Sequence, residues 1–338
     1  MEFKRSLGRS GLRVSAMGLG CWAIGGSLWY MDGDIRRPLC WGDIDDRESI
    51  RAIRCAMELG INYFDTADSY GAGHSEEILG KAVEGRRGEV VISTKFGDLF
   101  ESETRTWLGH GHPDGKMTRD YVRKACDASL RRLGTDYIDL YFFHWKEYDA
   151  GLAADLVSVL EALVDENKIR YYGWSTPYME QASVFTKGKH CTAMQYNCNI
   201  FERNPDMLAL CREHNLGSIA RGPLAMGILT GKYSRDSRLP GNDVRSRWNL
   251  KEGRIAQQLE MLDAIRDILT LDGRTLPQAA LGWLWALDPQ VVPIPGFKTV
   301  KQVEDNFNAF EHGPLTPKQM QEIERVLKEF PYNLIELG

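Results

Sequence analysis

With 338 residues, 43% of them hydrophobic and 26% charged, the chain has enough apolar mass for a large buried core. A net charge of −5, with no Lys/Arg block, argues against a general nucleic-acid binder. No run approaches the ~18 apolar residues of a membrane span, and the N-terminus turns polar at once, so the chain reads as cytoplasmic.

In chain order, the first element is an N-terminal hairpin spanning residues 3–15. Eight short apolar runs follow at 17–22, 63–67, 90–95, 137–143, 169–175, 193–198, 217–220 and 291–294, and each reads as a β-strand. Amphipathic stretches separate them. One begins at Asp46, keeps Ile50, Ile53, Ala56, Met57 and Leu59 on one face, and closes at Gly60. Another runs from Thr118, a natural N-cap, to Gly134. A last helix is expected over 316–330.

Eight strands alternating with helices predict an α/β fold, a (β/α)8 TIM barrel with an N-terminal β-hairpin and a C-terminal helix, in one domain over 1–338. An open doubly wound sheet would show Gly-x-Gly-x-x-Gly opening a helix after its first strand; here Gly18-Leu-Gly20-Cys-Trp leads into a loop. Three connections are long, at 25–43, 96–117 and 224–249, and rich in aromatics. They are expected to wall a substrate pocket and cover a cofactor, with Trp22, Trp29 and Trp145 as pocket residues.

Four polar residues stand at or just beyond the ends of three of these runs: Asp65, Tyr70, Lys95 and His144. In a parallel barrel that edge is where chemistry gathers. A phenol is a proton reservoir with a pKa near 10, and a nearby ammonium favours its anion. Asp65 would hold Lys95 charged, and a histidine would orient a substrate oxygen or relay a proton. The group suits protonation of an alkoxide formed when hydride reaches a carbonyl.

The seven cysteines, Cys21, Cys40, Cys55, Cys126, Cys191, Cys198 and Cys211, contain no Cys-x-x-Cys and read as buried free thiols. His110-Gly-His112 lacks a third ligand at metal spacing, so no metal is expected.

The stretches Asn62-Tyr-Phe-Asp-Thr-Ala-Asp-Ser-Tyr-Gly71, Gly222-Pro-Leu-Ala-Met-Gly-Ile-Leu-Thr-Gly-Lys-Tyr233 and Pro293-Ile-Pro-Gly-Phe-Lys298 resemble the aldo-keto reductases. The resemblance covers most of the chain. It implies a catalytic tetrad of Asp65, Tyr70, Lys95 and His144, with Tyr70 the general acid/base of an NADP(H)- or NAD(H)-dependent oxidoreductase. It implies Ser175 and Gln195 as partners of the nicotinamide carboxamide. Pro223 and Leu224 would lie beside the pyrophosphate, Gly296, Lys298 and Thr299 at the adenosine phosphate, and Gln302 and Asn306 at the phosphate-ribose and adenine. Lys298 suits a 2′-phosphate, which favours NADPH over NADH.

Thr176 stands where many members carry Asn. Arg221 stands where an aromatic often stacks on the nicotinamide; it is expected to stack or to bind an anion. The implied substrates are small carbonyl compounds, or alcohols and sugars in reverse, and the family holds both monomers and multimers. Its potassium-channel β subunits offer the alternative of a regulatory, cofactor-binding barrel.

Overall fold

The computed structural model describes residues 2–111 and 117–330. The chain opens with the hairpin β1 (Lys4–Ser6) and β2 (Arg13–Ser15), followed by β3 (Leu19–Gly20). Next come β4 (Trp29–Asp32), β5 (Ile35–Pro38), α1 (Asp46–Glu58), β6 (Tyr63–Asp65) and α2 (His74–Val83). The middle holds β7 (Val91–Phe96), β8 (Asp98–Glu101), β9 (Thr106–His110), α3 (Arg119–Leu133), β10 (Ile138–Phe143), α4 (Ala150–Asp165), β11 (Ile169–Ser175) and α5 (Met179–Thr186). The rest is β12 (Cys191–Asn197), α6 (Pro205–Glu213), β13 (Gly217–Arg221), α7 (Gly253–Leu269), α8 (Leu276–Leu287), β14 (Val291–Pro293), α9 (Val300–Phe307), α10 (Ala309–His312) and α11 (Pro317–Leu327).

Eight strands form one parallel sheet in the order β14-β13-β12-β11-β10-β7-β6-β3. It closes where Gly18 N–H donates to Pro293 O, Gly20 N–H donates to Pro295 O and Gly20 pairs with Gly296. All eight predicted strands are present, with ends shifted by a few residues. Helix starts follow their caps: Asp45 and Thr118 accept from first-turn N–H groups, and Thr275 and Thr316 form capping boxes.

Side-chain alternation along the strands sorts the interior. Tyr63, Val91, Leu140, Phe142, Ala193, Ile219, Val292 and Ile294 point inward and meet Leu7, Leu12 and Val14 of the hairpin, which plugs the barrel's N-terminal end. The opposite parity, including Phe64, Ile92, Tyr141, Phe143 and Met194, packs under the helices. Arg9 seals the plug by donating to Cys191 O, Thr186 O and Gly188 O.

The structure differs from expectation in two of the long connections. They are not irregular walls: β4 and β5 from the first, and β8 and β9 from the second, assemble a second sheet in the order β5-β4-β9-β8. It begins directly beyond the barrel, since Asp98 of β8 follows Phe96, the last residue of β7, by two. The cysteines are free, and all but Cys55 are fully buried. Among the described residues no helix is long and apolar enough to cross a membrane.

Candidate active site

The same period-2 parity that fills the barrel with apolar side chains delivers the polar ones at its mouth. Asp65 follows Tyr63, Lys95 follows Val91 by four, His144 follows Phe142, and Gln195 follows Ala193, all on inward positions. Ser175 and Arg221 continue that parity on β11 and β13. Tyr70 arrives differently, from the turn after β6. Gly71 there has φ +62, and a Cβ would lie 1.8 Å from Gly25 O, so only glycine lets the two loops meet and hold the phenol in place.

Lys95 Nζ donates to Asp65 Oδ2 at 2.6 Å, Thr66 O at 2.7 Å and the Tyr70 hydroxyl at 3.3 Å. Asp65 Oδ1 accepts from Ser93 at 2.7 Å and from Gln195 Nε2 at 2.8 Å; Ser175 Oγ donates to Gln195 Oε1 at 3.2 Å. The His144 ring stands edge-on to Tyr70, with centroids 6.0 Å apart. Asp65, Tyr70, Lys95, His144, Ser175 and Gln195 are thus one connected group.

Burial alone would drive the Lys95 ammonium toward neutrality, but the Asp65 carboxylate and the Tyr70 oxygen outweigh it and leave its pKa above the ordinary value. For Tyr70 the expectation of an acidified phenol needs correction. Burial raises its pKa, Lys95 only partly offsets that, and the net direction is upward. The phenol therefore stays protonated at neutral pH, a loaded donor. His144 is pushed down by burial, against the pull of Asp98.

Asp98 was not singled out from the sequence. It is buried two residues beyond β7; Oδ2 accepts from Ser69 at 2.6 Å and lies 3.1 Å from His144 Nδ1. Its Oδ1 accepts from Trp107 Nε1 at 3.0 Å and lies 2.8 Å from His110 Nδ1. Both imidazole nitrogens sit at ion-pair distance but off the N–H axis, so the attraction is electrostatic before it is a directed hydrogen bond. Burial opposes the charge on Asp98, yet the two histidines outweigh it and hold the carboxyl well below the usual range.

Of the three tryptophans expected in the pocket, Trp22 stacks beside Tyr70 at 5.9 Å and meets Trp41 edge-on. Trp145 stacks on His110 at 5.5 Å. Trp29 is not brought to the tetrad: it lies on β4 beneath the Arg36 guanidinium, on the face of the second sheet that carries exposed Met31. Arg221 is half-buried, has no hydrogen-bond or ion-pair partner among the described residues, and is lowered by desolvation.

The residues expected to face a coenzyme lie along the rim. Gly222, ahead of Pro223 and Leu224, has φ +61, and a Cβ there would meet Asn197 Oδ1 at 2.3 Å. Lys298 and Thr299 precede α9, with Thr299 as its N-cap; Gln302 and the buried Asn306 lie on it. The Lys298 ammonium is tied to Trp41 O and Asp43 O. Lys298 N–H donates to Gln302 Oε1 at 2.7 Å, and Val300 N–H to Glu48 Oε1 at 2.9 Å. The two acceptors mark a turn built to meet oxygen at a helix N-terminus, which fits a phosphate once Glu48 moves aside. The Ser175–Gln195 pair fits a carboxamide. His110 faces Asp98, and His112 lies outside the described residues; among those described no group of three or more His, Cys, Asp or Glu side chains is placed to hold a metal ion.

The chain belongs to the aldo/keto reductase family, whose pattern matches residues 16–328. It is similar to the NADP(+) aldo-keto reductase yakc of Schizosaccharomyces pombe, 30% identical over 88% of this chain and 84% of that one. To the NADH-specific methylglyoxal reductase of Escherichia coli it is 31% identical, over 90% and 93%. The solved structure of the glycerol dehydrogenase AKR11B4 from Gluconobacter oxydans superposes with a TM-score of 0.81, at 28% identity, over 99% of each chain. Family and fold make this an oxidoreductase that reduces carbonyl groups with a nicotinamide coenzyme.

Proposed function

We propose that Tyr70 is the general acid of an aldehyde or ketone reductase, acting in reverse on alcohols or sugars, with NADPH favoured and NADH accepted. The observation that carries this is the buried triad in which Lys95 Nζ reaches both Asp65 at 2.6 Å and the Tyr70 hydroxyl at 3.3 Å.

A bound coenzyme supplies hydride to the carbonyl carbon; every other task falls to the protein. The Tyr70 hydroxyl gives its proton to the oxygen as charge builds there, and the Lys95 ammonium stabilises the phenolate left behind. Asp65 keeps Lys95 charged and in place. His144 faces the same oxygen from the other side. Ser175 and Gln195 set which face of the nicotinamide looks toward Tyr70, and Trp22 flanks the phenol. Gly296, Lys298, Thr299, Gln302 and Asn306 take the adenosine end, with Pro223 and Leu224 beside the pyrophosphate. Arg221 supplies either a stacking plane or an anion partner.

We read residues 1–338 as one domain acting on small molecules in the cytoplasm, without nucleic-acid or membrane partners. Turnover is tested by following coenzyme absorbance with a panel of aldehydes, comparing the wild type with Tyr70→Phe. The variant should lose at least ~10²-fold in turnover while binding NADPH normally, the usual scale for a positioned proton donor. Near-normal turnover would remove Tyr70 from the role. Tight NADPH binding with no turnover by the wild type would turn the reading toward a regulatory barrel.

A further inference from the structure

Asp98 is the residue on which the separate parts of the mouth converge. One carboxylate oxygen holds Ser69, the neighbour of Tyr70, and faces His144 Nδ1; the other holds Trp107 and faces His110 Nδ1. Its backbone oxygen accepts from Tyr121 at 2.8 Å, which fixes the start of β8. A buried anion between two imidazoles has a chemical consequence. It attracts a proton to each Nδ1, so the nitrogen that His144 leaves for any other partner is Nε2. This tautomer logic is that of a carboxylate behind a histidine in other enzymes, where the carboxylate orients the ring and stabilises its cation.

We propose that Asp98 is a positioning residue of this reductase: it commits Nδ1–H of His144, presents Nε2 to the substrate oxygen, and, by sharing its carboxylate with His110, ties the protonation of His144 to the seating of strand β9. This rests on the reading above that His144 meets the substrate. With Nδ1–H committed, Nε2 donates to a carbonyl oxygen only when the ring is an imidazolium. Reduction then falls as pH rises through the His144 titration, and alcohol oxidation, which needs Nε2 as acceptor, rises.

Among the described residues, the charged and titratable groups around His144 are Lys95 on β7, Asp98 on β8, His110 on β9, Arg221 on β13 and Tyr70 from the turn after β6. Asp98 is the anion at ion-pair distance from the ring, and Lys95 and Arg221 both oppose a charge on it. Removing Asp98 therefore makes His144 harder to protonate. Removing His110, which competes for the same carboxylate, makes it easier. The two substitutions move one titration in opposite directions, and a merely structural role would not produce that.

The experiment titrates the histidine rings of 15N-labelled full-length protein by NMR, free and with NADP+, in the wild type, Asp98→Asn and His110→Phe. The phenylalanine keeps a ring stacked on Trp145 without a proton to share. Reduction rates are measured over the same pH range. The His144 midpoint should fall by about one unit or more in Asp98→Asn, the scale for losing an opposite charge at this distance, and rise in His110→Phe. The pH limb of reduction should follow both shifts. A midpoint unmoved in either variant, or moved the same way in both, overturns the proposal. If Asp98→Asn does not fold, His110→Phe decides alone: an upward shift supports the proposal, and no shift or a downward one overturns it. If no carbonyl is reduced at all, the enzymatic reading fails, while the ring titration still judges Asp98.

Discussion

The eight-stranded barrel and the four-stranded sheet above its mouth are held together by different means. The barrel strands are covered on both faces, by the plug and inward side chains on one side and by helices on the other, so their residues are almost entirely buried. The upper sheet has one open face with exposed Met31 and Leu108, and its contribution to the site is made by a few polar contacts: Trp107 and Asp98 to each other, His110 to Asp98. Burial is concentrated in the first region, while the second meets the site through these few polar contacts.

Truncation separates the two most sharply. Phe142→Ala, inside the barrel, should cost about 3–5 kcal/mol in urea or thermal unfolding. Leu108→Ser, at 63% exposure on the upper sheet, should stay within about 0.5 kcal/mol. Comparable losses would mean that the sheet is part of the core.

Next in size is the alkaline edge of stability. The Lys95 pKa is raised by folding, so its contribution is fully present below the unfolded value of about 10.4 and is lost as pH climbs through the higher folded value. Wild-type protein should lose stability there, and Lys95→Met, weaker throughout, should lack that loss. At the acid edge the sign reverses. The Asp98 pKa is depressed, so its contribution holds above about 3.9 and disappears as pH falls through the folded value. Asp98→Asn should flatten the acid limb, as melting temperatures against pH would show.

The smallest effect is expected at the rim. Lys298→Ala should weaken NADPH several-fold more than NADH, and Glu48→Gln, which removes a carboxylate from Val300 N–H, should shift preference toward NADPH. Fluorescence titration of both coenzymes measures this; equal changes for the two would take both residues out of 2′-phosphate recognition.

The barrel was legible because buried parallel strands read as continuous apolar runs, and because inward parity carried polar residues such as Lys95 and Gln195 to the same end. The upper sheet was not, since its strands are short, partly exposed and stabilised by pairing across distant connections. One signal was available: Gly33-Asp34, flanked by Trp29–Asp32 and Ile35–Pro38, is a two-residue hairpin turn, with Gly33 at φ +60. Asp98 gave no comparable sign, because a carboxylate two residues past a strand acquires meaning only when two histidines from other segments face it. The direction of the Tyr70 shift was likewise hidden, for the ammonium was visible in the sequence and the extent of burial was not.

The hairpin plug gives the barrel a single door. Leu7, Leu12 and Arg9 stopper the opposite end, so whatever reaches Tyr70 comes in at the mouth and leaves there. A compound lodged in that mouth would therefore throttle turnover by blocking traffic alone, leaving every reacting atom where it stands.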